Sequence, residues 1–179
     1  SQVDRLIRLS NALLFLSRSD QKRLSWQPSP LNLTELLEII VEQILPLADE
    51  HELSFVSEIP AELRVYGDTD HLIRLFLNLM DNAVKYTLPG GEIVLRASQE
   101  PFGVQVVIQN TGEGIPPEHI PHLFERFYRV EADRSSQTGG SGLGLAISRE
   151  IVCLHGGEIS IESESGLGVN IIISLPVQN

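Results

Sequence analysis

Asn78, Asn82 and Lys85 stand at spacings i, i+4 and i+7 in a stretch of helical pattern. They therefore project from one helix face, beside an apolar one made by Leu75, Phe76, Leu79 and Ala83. An Asn carbonyl oxygen is a hard neutral ligand suited to Mg²⁺, and a lysine ammonium is a point charge suited to phosphate. A solvated helix face has the same composition, and His71 and Arg74, one and two turns earlier on that face, read as surface. Directly after a strand-like run comes Asn110-Thr111-Gly112-Glu113-Gly114-Ile115-Pro116. Its glycines let a backbone approach a flat ligand, and the Asn110 carbonyl can accept from an exocyclic amine such as adenine N6. A plain turn explains this segment equally well. Phe124-Glu125-Arg126-Phe127-Tyr128-Arg129 sets two arginines between aromatics, an arrangement suited to bidentate phosphate contact or to anchoring the segment on a core. Finally, Gly139-Gly140-Ser141-Gly142-Leu143-Gly144-Leu145 opens a helix, where free N–H groups and the positive end of the dipole can hold an anion.

Composition says how such a ligand must be held. With 42% hydrophobic and 21% charged residues, the 179-residue chain reads as a soluble globular domain with room for an appendage. Its net charge of −11, from 13 Lys+Arg against 24 Asp+Glu, argues against binding a nucleic-acid backbone. A polyanion would have to be held locally, by Mg²⁺, backbone N–H groups and a few placed cations. No apolar run approaches the ~20 residues that span a bilayer, and the opening residues carry no signal-peptide pattern. These residues are expected neither to cross a membrane nor to be exported. The single cysteine, Cys153, reads as a plain buried thiol in a reducing compartment.

The elements that must position these clusters follow from periodicity. Leu6, Leu9, Leu13 and Leu16 form an a/d-like seam over 1–19, with Arg5, Arg8 and Arg18 elsewhere. Such a helix either seeks another helix or packs on its own domain. A polar, Pro-containing break from Ser19 to Pro30 reads as a hinge. Asn32 with Glu35 predicts a capping-box start to a helix over 33–50. Strands are expected at 53–58 and 64–66, then a helix capped by Asp68 that runs to Tyr86 and stops before Pro89-Gly90-Gly91. Strands follow at 92–99 and 103–109, and 110–141 reads as a functional loop with a lid at about 130–141, mobile until a ligand orders it. A helix from Gly142 ends at His155-Gly156-Gly157, and strands at 158–163 and 169–175 complete the chain. The order predicts an α/β (α+β) two-layer sandwich: a mixed, largely antiparallel sheet on three helices, preceded by one coiled-coil-like helix.

No Gly-Lys-Ser/Thr follows the glycines, which excludes a P-loop, and the His-Arg-Asp and Asp-Phe-Gly strings of protein serine/threonine kinases are absent. Taken in order, Asn78 to Thr87, Asn110 to Pro116, Phe124 to Arg129 and Gly139 to Leu145 resemble the N, G1, F and G2 boxes of the sensor histidine kinase catalytic domain, over about 22–179. His155-Gly156-Gly157 and Gly166-Leu167-Gly168 match as well. The resemblance implies the Bergerat ATP-binding fold, with 1–19 as the second helix of the dimerisation and phosphoacceptor hairpin, 20–30 as linker and 31–179 as the catalytic domain. It implies Mg-ATP as substrate and transfer of the γ-phosphoryl group to a histidine. Asn82 would be the Mg²⁺ ligand, Asn78, Lys85 and Arg129 would serve the chemistry, and Arg126 the phosphates. Tyr86, Ile115 and Leu143 would border adenine and Asn110 would read it. Gly112, Gly114, Gly140, Ser141, Gly142 and Gly144 would shape the backbone around the nucleotide. Asn78 stands where related hydrolysing clamp ATPases hold a glutamate, and a neutral amide suits transfer to an imidazole better than activation of water.

The resemblance also implies partners: the chain's own phosphoacceptor hairpin, a response regulator receiver domain, and a homodimeric, membrane-bound parent of which this is a cytoplasmic portion. None of His51, His71, His119, His122 or His155 lies in the phosphoacceptor setting, so the nucleophile is expected upstream of residue 1. The family usually has aspartate at position 110 and threonine at 169, where this chain has Asn110 and Val169. That pair keeps alive a non-catalytic, nucleotide-gated binding module as an alternative.

Overall fold

The computed structural model describes residues 2–21, 24–130 and 141–177. Along the chain these form α1 (Gln2–Asp20), β1 (Ser29–Asn32), α2 (Leu33–Glu50), β2 (Ser54–Glu58), β3 (Arg64–Gly67), α3 (Thr69–Tyr86), β4 (Glu92–Glu100), β5 (Gly103–Asn110), a 3₁₀ turn (Ile120–His122), α4 (Gly144–Leu154), β6 (Glu158–Glu164) and β7 (Gly168–Pro176). Five strands make one sheet in the order β2-β4-β5-β7-β6, parallel only between β2 and β4, and β1 pairs with β3 in a separate antiparallel ribbon. This is the expected sandwich.

Alternation in the central strands decides which face of the sheet the helices cover. Val104, Val106 and Ile108 of β5 and Ile171, Ile173 and Leu175 of β7 are buried, whereas Gln105, Gln109, Asn170 and Ser174 between them are not. The inward row joins one core with Ile40 of α2, Leu72, Phe76, Leu79 and Met80 of α3, and Ile147 and Ile151 of α4. Burying Leu79 or Phe76 completely removes each from water at a gain of about 1.5–3 kcal/mol. Helix α3 begins where Asp68 accepts from the His71 N–H at 3.1 Å. It ends where the Thr87 N–H and hydroxyl both turn back to the Ala83 carbonyl. Helix α2 departs from a capping box, because the Asn32 amide donates to Glu35 Oε1 at 2.8 Å instead of accepting from the helix backbone.

Of the leucines of α1, Leu16 is buried at 2% exposure and Leu9 packs partly buried on the core, whereas Leu6 and Leu13 are 68% and 44% exposed. The stripe that packs is Ala12, Phe15, Leu16 and Ser19, at i, i+3, i+4 and i+7, which leaves Leu6 and Leu13 uncovered on a neighbouring face. Three further expectations need correction. The supposed hinge ends in a strand, since Ser29–Asn32 pairs with Arg64–Gly67; its Pro is tolerated because a two-stranded ribbon leaves half the backbone groups unpaired. His71 and Arg74 are not solvated surface, because α1 and the segment after it lie over them. The Arg74 guanidinium sits 4.3 Å from the centroid of Phe15, and His71 meets the same ring edge-on at 5.5 Å. Cys153 is exposed, because the buried positions of α4 are 146–148, 151 and 152.

Trp26, between α1 and β1, stacks on His71 and meets His155 edge-on at 4.7 Å. The buried His155 donates Nδ1–H to the Ile151 carbonyl at 2.7 Å and accepts the Asp68 N–H on Nε2 at 3.1 Å, a neutral tautomer set by its two partners. Burial pushes its pKa below 6.5. On acidification the unfolded chain takes up this proton before the folded one, so stability is full above about pH 6.5 and declines as the pH falls through that range. A His155→Gln variant should therefore flatten the acid side of a melting-temperature profile between about pH 7 and 5. An unchanged acid slope would show that other groups carry it.

Candidate functional site

Asn78, Asn82 and Lys85 fall on the second half of α3, each half-buried. Asn78 Nδ2 is fully enclosed with no hydrogen-bond partner among the described residues. An enclosed, unmade donor costs about 1–3 kcal/mol, which marks a place where a bound group or water completes the site. Lys85 Nζ donates to the Tyr86 hydroxyl at 2.7 Å and lies 4.3 Å from the centroid of that ring.

The loop after β5 reaches the end of α3. A Cβ on Gly112 would come within 3.1 Å of the Tyr86 carbonyl oxygen. Asn110, 6% exposed, donates Nδ2 to the Thr111 carbonyl at 3.3 Å, which leaves Oδ1 as an acceptor. Its cross-strand partner is Val169. The loop is tied to the β6–β7 hairpin: Ile115 N–H donates to Ser163 Oγ at 2.8 Å, Ser163 Oγ–H to the Gly168 carbonyl at 2.6 Å, and Gly166 N–H to the Glu113 carbonyl at 2.8 Å. Gly168 has φ +119°, and any Cβ there would overlap the Asn110 carbonyl oxygen.

The segment 124–129 is strapped to the loop that opens α4. Phe127, exposed and with φ +66°, donates its N–H to the Gly142 carbonyl at 2.8 Å. Gly142 has φ +69°, and a Cβ on it would stand 2.8 Å from Phe127 Cα. Tyr128 anchors the segment, its hydroxyl 2.6 Å from His119 Nδ1 and its ring near His122. Ser141 Oγ accepts the Leu143 N–H at 3.3 Å, and α4 begins with no side-chain cap and with open space around Gly144. Among the described residues no side chain accepts from the first-turn N–H groups of α4, a geometry suited to an anion.

The structure sets Asn78, Asn82, Lys85 and Tyr86 on the second half of α3, brings the loop with Asn110, Gly112, Gly114 and Ile115 to the end of that helix at Tyr86, and joins Phe127, two residues before Arg129, to Gly142. α3 packs against α4 in the shared core. Leu143 departs from its expected place, since its side chain is completely buried in the core and only its backbone is available to a ligand. Arg126 departs too: it makes a two-pronged bond with Asp20, at 2.7 and 2.8 Å, at the tip of α1. Gly140 and nearly all of the expected lid, 131–140, lie outside the described residues. Sequence reading missed Ser163, because a serine in a strand gives no sign of which distant backbone it will meet, and missed Asp20 for the same reason. A hollow of about 460 Å³ adjoins the site, lined by Leu88, Gly91, Thr111, Glu113 and Gly166 among others. A second, of about 510 Å³, lies on the uncovered face of the sheet near Arg96 and Val107, away from every one of these groups.

Comparison with known proteins supplies the family. Residues 67–179 match the model of the histidine kinase-, DNA gyrase B- and HSP90-like ATPases. A sensor histidine kinase, RppB of Synechocystis, is 38% identical over 98% of this chain and 39% of its own length. Full-length ShkA, solved in complex with AMPPNP, superposes with a TM-score of 0.83 at 28% identity, covering 97% of this chain and 36% of that one. The histidine kinase ThkA, solved in complex with the response regulator TrrA, gives 0.79 at 25% identity, covering 98% and 49%. The chain thus spans well under half the length of RppB.

Replacing Gly142 by Ala should cost about 1–2 kcal/mol for the left-handed backbone alone, with the Phe127 contact added. Denaturant unfolding checks this, and a cost below about 0.5 kcal/mol would mean that the strap is slack.

Proposed function

The chain belongs to the histidine kinase-, DNA gyrase B- and HSP90-like ATPase family, and on that premise we propose that it binds Mg-ATP and donates the γ-phosphoryl group to a histidine of a dimerisation hairpin. The observation that carries this reading is the N-terminus of α4, which no side chain among the described residues caps and which Phe127 and Gly142 hold beside the segment that bears Arg129. An acidic chain needs such a local seat to hold a polyanion.

In this reading α1 is the second helix of the hairpin, 20–30 the linker that runs into β1, and 31–179 the catalytic domain. Asn82 offers a carbonyl oxygen to Mg²⁺, which would neutralise phosphate charge when bound. Lys85 and Arg129 supply cations where charge develops as the phosphoryl group moves. The N–H groups of the α4 first turn hold phosphate oxygens. Tyr86 and Ile115 border the base, and Asn110 Oδ1 accepts from its amine. In the transfer a ring nitrogen of the acceptor histidine bonds to the γ-phosphorus as the bond to the β–γ bridging oxygen breaks, the ring loses its proton and ADP leaves. Asn78, a neutral amide, does not activate water for a competing hydrolysis. The acceptor then passes the phosphoryl group to a receiver-domain aspartate, and a homodimeric, membrane-bound parent would place this part in the cytoplasm; among the described residues no helix is long and apolar enough to cross a membrane. Asn110 opposite Val169 favours a second reading, a nucleotide-gated binding module without phosphotransfer.

Supplying the phosphoacceptor hairpin in trans with γ-labelled ATP separates the two readings: acid-labile label on the hairpin supports the kinase, and nucleotide binding without label supports the module. For the metal, Asn82→Ala should abolish Mg²⁺-coupled ATP binding in calorimetry while the melting temperature without ligand stays within a few degrees. Equal affinity in wild type and variant would remove Asn82 from the site. At Asn110, the single 3.3 Å bond to Thr111 holds the amide loosely, and a flipped amide can donate to a guanine carbonyl. Asn110→Asp should raise the preference for ATP over GTP by up to about tenfold, and Asn110→Asp with Val169→Thr further. A wild type already as selective as both variants would show that Thr111 fixes the amide fully.

A further inference from the structure

Arg126, one residue before the strap to Gly142, is engaged from outside the site. Its Nη1 and Nη2 donate to Oδ2 and Oδ1 of Asp20 at 2.8 and 2.7 Å, fork to fork. Asp20 closes α1, and the contact continues up that helix. Ser19 donates to a Glu150 carboxylate oxygen on α4, and Phe15 lies between Arg74 and His71 of α3. The segment that follows α1 is held as well, with Trp26 on His71 and His155 and the Gln27 N–H on Asp68 Oδ2 at 2.8 Å. α1 is therefore seated along α3 and α4, with the Asp20 charge at its tip on the arginine nearest the Phe127–Gly142 strap.

A guanidinium fork fits a carboxylate and a phosphate by the same geometry, so Arg126 cannot satisfy both at once. Both partners are about half exposed, and an exposed pair of this kind opens readily. Resting on the nucleotide reading above, we propose that Asp20 and Arg126 form a releasable latch in which α1 and the phosphates of a bound nucleotide compete for one guanidinium. Seating of α1 weakens nucleotide binding, and by reciprocity bound nucleotide loosens α1.

The test titrates Mg-ATP calorimetrically into the wild type, Asp20→Ala, Arg126→Gln and the double variant, and follows the emission of Trp26, the only tryptophan. Asp20→Ala should tighten Mg-ATP by about two- to fivefold, the reach of an exposed pair, and should have no effect once Arg126 is Gln. Mg-ATP should shift Trp26 emission in the wild type, and Asp20→Ala should move it part of the way without nucleotide. Equal affinity in Asp20→Ala and a wild type that binds leaves the nucleotide reading standing and overturns the latch. A wild type that binds no Mg-ATP overturns the nucleotide reading, and the competition with it.

Discussion

Phe127 and Gly142 meet backbone to backbone, both in the left-handed region and joined by one N–H···O bond. For Phe127 that conformation costs about 1–2 kcal/mol, and it persists because Gly142 offers no Cβ to push it away. What depends on the contact is the placement of two distant stretches of sequence. It sets the arginine-bearing segment against the loop that opens α4, and α4 is itself fixed by burial of Ala146, Ile147, Ile151 and Val152. The N-terminus of α4 is thus placed by core packing on one side and a glycine-only approach on the other.

The side of the candidate site around Asn110 is built by the same means. Gly168 lets the β7 backbone press against the Asn110 carbonyl, and Ser163 spans from the Ile115 N–H to the Gly168 carbonyl. The loop from 111 to 116 is therefore held by the β6–β7 hairpin rather than by its own side chains. On α3 the apolar positions that fill the core leave Asn78 and Asn82 on the adjoining half-buried face, and the enclosed Asn78 donor has no partner among the described residues.

Much of the architecture was legible because periodicity reports burial directly. The strand-like runs of β5 and β7, and the Asp68 cap of α3, were visible in residue types alone, although Val107 and Ile172 break the apolar alternation that burial follows. Two overlapping stripes share α1, and only tertiary contact decides that Phe15 rather than Leu13 packs on this domain. β1 was hidden since Ser-Pro-Leu-Asn carries no strand signal and owes its conformation to pairing with β3. For the candidate site, residue order singled out Asn78, Asn82, Asn110 and Gly142, and the structure sets the first two on α3, Asn110 at the end of β5 and Gly142 just before α4. Residue order gave no sign of the burial of the Leu143 side chain or of the Asp20 partner of Arg126, because both arise from elements far away in sequence.

The central claim is that a nucleotide seats between α3, the loop after β5 and the N-terminus of α4, although the larger hollow lies on the uncovered sheet face. Backbone amide chemical shifts followed through a Mg-ATP titration test it most directly. The account predicts saturable shifts centred on 78–86, 110–115, 126–129 and 141–145, with smaller ones along α1 and at Trp26 as that helix loosens. Shifts centred on Arg96, Gln105 and Val107, with those segments silent, would contradict it.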